Sequence, residues 1–158
     1  MQYPRLTGRQ QQSKAQVIIS LTLSSRIDAL CANAGIIDQS SIFILSHRDS
    51  TTIPPAPSTK CTDVDYKGLI YGTQLAVHFM RQNKQPGGVI IATSSIAGVH
   101  PLSSFPEYSG AKAAVLNLVR SAAPVLKLRE NIWINCILPG IVPTKVIPSE
   151  MIAGAGDE

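Results

Sequence analysis

Two short segments of this 158-residue chain combine residue types that can move a proton. One is Ser94-Ser95, which closes the run VIIATSS. The other is Tyr108-Ser109-Gly110-Ala111-Lys112. Tyr108 and Lys112 are related as i and i+4, so in a helix they share one face, a turn apart. A cation that close favours the phenolate and lowers a tyrosine's pKa. A tyrosine tuned toward neutral pH can give or take a proton at a substrate oxygen. A serine hydroxyl at the carboxyl end of a strand, where open α/β sheets place their ligands, can hydrogen-bond the same oxygen. A packed tyrosine beside a surface lysine gives the same spacing, so the pair alone leaves both readings open. His100 follows Ser95 by five positions. It reads as a loop histidine, with a place in the same pocket as the alternative. His47 and His78 have no metal-ligand company, and no metal is expected.

These side chains need elements to hold them. Ile27 to Ala32 is a short apolar run ending in the turn signal Asn33-Ala34-Gly35. From Asp38 to Cys61 the chain is polar and contains Pro54, Pro55 and Pro57. It reads as a surface loop with room for one short helical turn. Asp63 to Gln82 has helical spacing, with Thr62 or Asp63 as its cap. Val89 to Thr93 and Ile132 to Leu138 read as buried parallel strands. Glu107 to Leu128 reads as a second long helix, kinked or shortened by Pro124. Gln16 to Leu23 is strand-like by composition. Strand alternating with helix predicts an α/β parallel sheet.

Composition narrows the partners. Hydrophobic residues make up 44% of the chain and charged residues 15%. One domain of this length buries about 68–70% of its unfolded surface, enough for a real core. The net charge is +4, but its basic residues are scattered, so no nucleic-acid partner is expected. Cys31, Cys61 and Cys136 form no CxxC pair, and Cys31 and Cys136 read as small hydrophobes in apolar runs. That usage fits a reducing, cytoplasmic compartment. No apolar run reaches the roughly 18 residues of a membrane span, and residues 1–14 have no apolar signal core.

Taken together, four motifs resemble the short-chain dehydrogenase/reductase family. TSSIAG precedes YSGAK, with Tyr108 13 positions after Ser95. Asn33-Ala34-Gly35 stands in ALCANAG, and ILPGIVPT runs from Ile137 to Thr144. The wording around TSSIAG and YSGAK is most similar to fungal members described as 15-hydroxyprostaglandin-dehydrogenase-like. The resemblance covers Arg26 to Thr144. It implies Tyr108 as general acid/base, Lys112 as the residue that tunes it and holds a nicotinamide ribose, and Ser95 as the residue that positions a carbonyl or hydroxyl. Asn33, Ala34 and Gly35 would stabilise the central strand near the cofactor. Pro139, Gly140 and Thr144 would lie near the nicotinamide. The implied fold is α/β, a partial Rossmann-like three-layer α/β/α with a short, mostly parallel sheet. Its divisions are a divergent segment 1–25, a catalytic core 26–147 and a flexible tail 148–158.

The sequence departs from the family pattern at three places. Thr7-Gly8 is followed by Arg9-Gln10-Gln11-Gln12-Ser13, without the glycines of a phosphate-binding turn. Such a turn offers backbone N–H groups and a helix N-terminus to pyrophosphate. The family's helix asparagine is Asp65 here, in DVDYKG. As a site residue Asp65 would alter a proton relay from Lys112 or pair with a cation; a solvated carboxylate is the alternative. The chain also ends soon after Thr144, so it reads as a truncated member lacking the N-terminal nucleotide-binding half. On that reading no cofactor is expected. Tyr108, Lys112 and Ser95 would then work on a carbonyl or hydroxyl of a small secondary-metabolite substrate, by isomerisation, dehydration or cyclisation. One alternative is an NAD(P)-dependent alcohol/ketone oxidoreductase. Another is a non-catalytic remnant for ligand binding or dimerisation. In relatives the two long helices pack into a four-helix bundle, so the resemblance implies a homodimer, which light scattering at micromolar concentration would reveal. Gln16–Leu23 is expected to cover a sheet edge.

Overall fold

A computed structural model describes residues 26–142. Three parallel strands form one sheet in the order β1-β2-β3: β1 (Ala29–Ala32), β2 (Gly88–Thr93) and β3 (Ile132–Ile137). Val89 lies opposite Ala29 on one side and Trp133 on the other. Parallel neighbours need long crossovers, and the two helices supply them. The first, α1, joins a turn Lys60–Thr62, a π-helical stretch Asp63–Lys67 and an α-helix Gly68–Met80. The second, α2, runs Pro106–Glu130. The loop between β1 and α1 holds one 3₁₀ turn, Leu45–His47, as the polar composition suggested.

Two boundaries differ from the sequence reading. Helix α1 starts at Lys60, earlier than its candidate caps Thr62 and Asp63. Helix α2 is not shortened by Pro124 and continues to Glu130. Pro124 and Arg120, four residues before it, are both exposed, so water can take the carbonyl that the missing N–H leaves free. Asn131 then stops α2 in the left-handed conformation, with φ 53° and its N–H on the Leu126 carbonyl.

Strand alternation decides where the core sits. Ile90 and Ala92 of β2 and Ile132 and Ile134 of β3 point to one face. There they pack with Leu69, Ala76, Val77 and Met80 of α1 and with Val115 and Val119 of α2. Both helices therefore cover the same face of the sheet. The intervening residues Val89, Ile91, Trp133 and Ile137 are exposed on the other face. Cys31, read as a small hydrophobe in an apolar run, is exposed as well. The strand places it on the face that no described element covers. The Lys127 ammonium sits 3.6 Å from the centre of the Trp133 ring and shields part of it. The α/β class and the short parallel sheet are as expected. Of the three expected layers, the described residues form two.

No helix among the described residues is long and apolar enough to cross a membrane. The strand expected at Gln16–Leu23, the segment Thr7 to Ser13 and Thr144 lie outside the described residues.

Candidate active site

The candidate residues gather at the carboxyl ends of the three strands. Hydrogen bonds between the segments that leave the sheet draw them together. Thr93 Oγ1 donates to Asn33 Oδ1 at 2.8 Å, joining the exits of β1 and β2. Ser94 N donates to the Ile137 carbonyl, and Ile96 N donates to the Pro139 carbonyl, both at 2.9 Å. Asn33, Ser95 and Pro139 thus share one rim, with Gly140 beside them.

Ser94 and Ser95 have separate tasks. The Ser94 hydroxyl is fully buried and donates to the Lys112 carbonyl at 2.7 Å, which ties β2 to α2. Ser95 Oγ accepts from Ala97 N at 3.1 Å and caps the 3₁₀ turn Ile96–Gly98. Its own O–H remains able to donate to a ligand. The turn packs directly on α2. A Cβ on Gly98 would sit 2.8 Å from the Lys112 carbonyl carbon, so only glycine allows this approach.

Lys112 is the most constrained member of the group. Only 3% of the residue is exposed. Its Nζ donates to the Thr93 carbonyl at 2.9 Å, pairs with Asp65 Oδ2 at 3.1 Å and lies 5.5 Å from the centre of the Tyr108 ring. The i, i+4 geometry expected of Tyr108 and Lys112 is therefore present. No hydrogen bond among the described residues engages the Tyr108 hydroxyl, which leaves it to a ligand.

Asp65 is not a solvated carboxylate; it is buried and paired with a cation. The π-helical stretch turns it inward, and such local widening recurs at functional sites. Its Oδ1 accepts from Ile36 N at 2.8 Å. Burial pushes its carboxyl above the usual aspartate range, while the Lys112 ammonium and the Ile36 N–H pull the other way.

Asp38 was legible only as one polar loop residue, yet it holds the helix that carries Tyr108. Its carboxylate accepts from Glu107 N at 3.0 Å and from Tyr108 N at 2.7 Å. Phe105, at the N-cap of α2, supplies no side-chain cap. That gap in the sequence signals a cap from elsewhere but does not say from where. Asp38→Ala is expected to destabilise the fold by about 0.5–2 kcal/mol, the usual range for losing an N-cap, measured by urea unfolding.

Asp38, Cys61 and Glu107 bring three possible metal-ligand atoms within 4.8 Å of one another. Each already has a partner inside the protein. Asp38 takes the two helix N–H groups, Glu107 accepts from the Thr62 N–H and hydroxyl, and Cys61 Sγ donates to the Ile36 carbonyl. Burial first, then the negative charge of Asp65, pushes the Cys61 thiol up to about 12. A metal binds the thiolate, which this environment disfavours.

A cavity of about 510 Å³ opens beside the start of α2, lined by Phe43, Val99, Leu102, Pro106, Gly110 and Ala113. Tyr108, Lys112 and Ser95 do not line it. Gly110 lies two residues from both Tyr108 and Lys112, which places it about 200° around the helix from either. The cavity therefore belongs to the other side of α2. His100 is exposed and does not line it either.

Comparison with known proteins supplies the context for this geometry. Residues 6–151 match the family model for short chain dehydrogenase, a wider span than the Arg26–Thr144 marked by the motifs. The chain is 54% identical over 138 residues to the short-chain dehydrogenase/reductase prx6 of Penicillium rubens, covering 86% of this chain and 46% of that protein. It is 36% identical over 88 residues to the rat 15-hydroxyprostaglandin dehydrogenase [NAD(+)], covering 54% of this chain and 33% of that one. A crystal structure of a short chain dehydrogenase/reductase from Burkholderia phymatum in complex with NAD superposes with TM-score 0.72 at 20% identity. It covers 90% of this chain and 48% of that chain, and it speaks for the fold. This chain spans about half the length of these short-chain dehydrogenase/reductases, 46% of the Penicillium protein and 48% of the Burkholderia one. These relatives lend no support to the expectation of a site without a cofactor. With the family model spanning most of its length and the Ser95, Tyr108 and Lys112 motif assembled at the strand ends, the chain belongs to the short-chain dehydrogenase family.

Proposed function

We propose that this chain carries the proton-transfer half of an oxidoreduction between a ketone and a secondary alcohol, on a small molecule of the secondary-metabolite kind and with a nicotinamide cofactor. The observation that supports this most directly is Lys112, fixed at the end of β2 beside the Tyr108 ring. Ser95 O–H donates to the substrate oxygen and orients it. In reduction the Tyr108 O–H delivers its proton to that oxygen, and in oxidation the phenolate takes the alcohol proton. The Lys112 ammonium stabilises the phenolate by charge. A nicotinamide supplies or accepts the hydride when bound.

The described residues fit the nicotinamide end of such a cofactor. Lys112 has three ammonium donors and two are engaged, by Asp65 and Thr93. The third has no partner among the described residues and would reach a ribose hydroxyl. Asn33, Gly35, Pro139 and Gly140 would flank it. A glycine-rich cradle for the pyrophosphate is not among the described residues.

Calorimetric titration of the protein with NADH and NADPH tests this reading, and micromolar binding of either nucleotide is the expected result. A flat titration would favour a second reading, in which the same three residues catalyse isomerisation, dehydration or cyclisation by proton transfer alone. The observation on the side of that reading is the segment Arg9 to Ser13, which has none of the glycines that cradle pyrophosphate.

A further inference from the structure

We propose that Asp65 is a positioning residue for Lys112: its buried carboxylate holds the ammonium at the end of β2 and balances its charge. The ammonium is thereby kept 5.5 Å from the centre of the Tyr108 ring. Its role in proton transfer rests on the function proposed above; its geometry does not.

Four observations converge. The side chains of Lys112 and Asp65 are 4% and 0% exposed, so neither charge is met by bulk water. An unpaired charge in such a place is strongly unfavourable. Asp65 cannot turn away, because Ile36 N holds Oδ1 while Oδ2 faces the ammonium. Among the described residues Oδ2 has no partner other than that ammonium, 3.1 Å away. Gly35 closes the remaining side: a Cβ there would lie 3.2 Å from Lys112 Nζ and 3.3 Å from Asp65 Oδ2.

The asparagine expected here from the family resemblance has the same shape but no charge. It would leave Lys112 as a cation with only the Thr93 carbonyl beside it. The other titratable groups around the pair do not replace Asp65. Cys61 of α1 stays a neutral thiol. Asp38, in the loop after β1, is bound to the start of α2, and Glu107 of α2 is bound to Thr62. Tyr108 presents its ring. From β2 the pair receives only a backbone carbonyl.

The test is the side-chain ammonium signal of Lys112 in ¹⁵N-lysine-labelled protein, assigned by its disappearance in Lys112→Arg. A buried, doubly bonded ammonium exchanges slowly with water, so a protected cross-peak is expected for the natural chain near neutral pH. In Asp65→Asn that peak should broaden away through faster exchange, with the far-UV spectrum unchanged. Gly35→Ala keeps both charges but crowds the pair, and should shift the same peak. The proposal is overturned if the natural chain shows no protected ammonium, or if Asp65→Asn leaves the peak and its exchange unaltered. Should Asp65→Asn not fold, an unshifted peak in Gly35→Ala overturns it instead. No turnover is needed for this readout. Failure to bind nicotinamide nucleotides would sink the proposed function and leave the Asp65 result standing on its own.

Discussion

Tyr108→Phe is expected to lower turnover by about 10²–10⁴ while leaving the fold intact, because a positioned general acid or base contributes that much. The substitution removes one oxygen. The ring remains for the Lys112 ammonium to face, and no hydrogen bond among the described residues depends on the hydroxyl. The backbone N–H of Tyr108, held by Asp38, is unaffected. Stability and activity should therefore separate, with an unchanged urea midpoint beside the lost rate. The measurement is kcat with the nucleotide that binds, next to an unfolding curve for the same sample. An equal fall in both would mean that the hydroxyl is a packing group. Unchanged turnover would mean that the proton comes from elsewhere, as in a non-catalytic remnant.

Lys112→Met should have the largest effect on stability, about 3–5 kcal/mol, the usual loss when one partner of a buried ion pair is removed. Methionine fills much of the same volume, so the loss falls mainly on Asp65, left ionised and buried with only the Ile36 N–H as partner. The pH dependence identifies the cause. Burial already holds the Asp65 carboxyl above its ordinary value of 3.8. Without the ammonium to oppose burial, it rises further in the variant. A carboxyl raised by folding adds stability below its unfolded value and loses it as pH rises through the folded value. The variant should thus recover stability as pH falls from neutral toward 4, approaching the natural chain. Adding Asp65→Asn to Lys112→Met should restore much of the loss at pH 7. Urea unfolding across that pH range decides it, and a deficit that does not change with pH would point to packing alone.

How much of this was legible before the structure depends on range. Tyr108 and Lys112 were readable because helical periodicity is local and the pair lies within two turns. The β2 and β3 runs were readable for a similar reason: short apolar segments between glycine and polar punctuation have few other uses in an α/β pattern. Together with the spacing from Ser95 to Tyr108, these local features were enough to place the chain in its family and to mark the residues proposed as its acid–base group.

Other features needed the folded chain. Asp38 caps α2 from 70 positions away, and nothing near Asp38 in sequence marks it as a cap. Asp65 could be read as solvated or paired, and the choice was made by an inward-turned π-helical stretch and by a lysine on another helix. Cys31 lies in an apolar run, which does not say which face it takes; strand alternation put it on the face that the two helices do not cover. By itself, then, the sequence determined the order of elements, the α/β class and the Ser95, Tyr108 and Lys112 group, because periodicity and motif spacing act over a few residues. Only the tertiary structure decided which charge pairs with Lys112, what holds the start of α2 and which sheet face the two helices leave uncovered. Burial and ion pairing are set by what lies nearby in space, and here those neighbours come from distant parts of the chain.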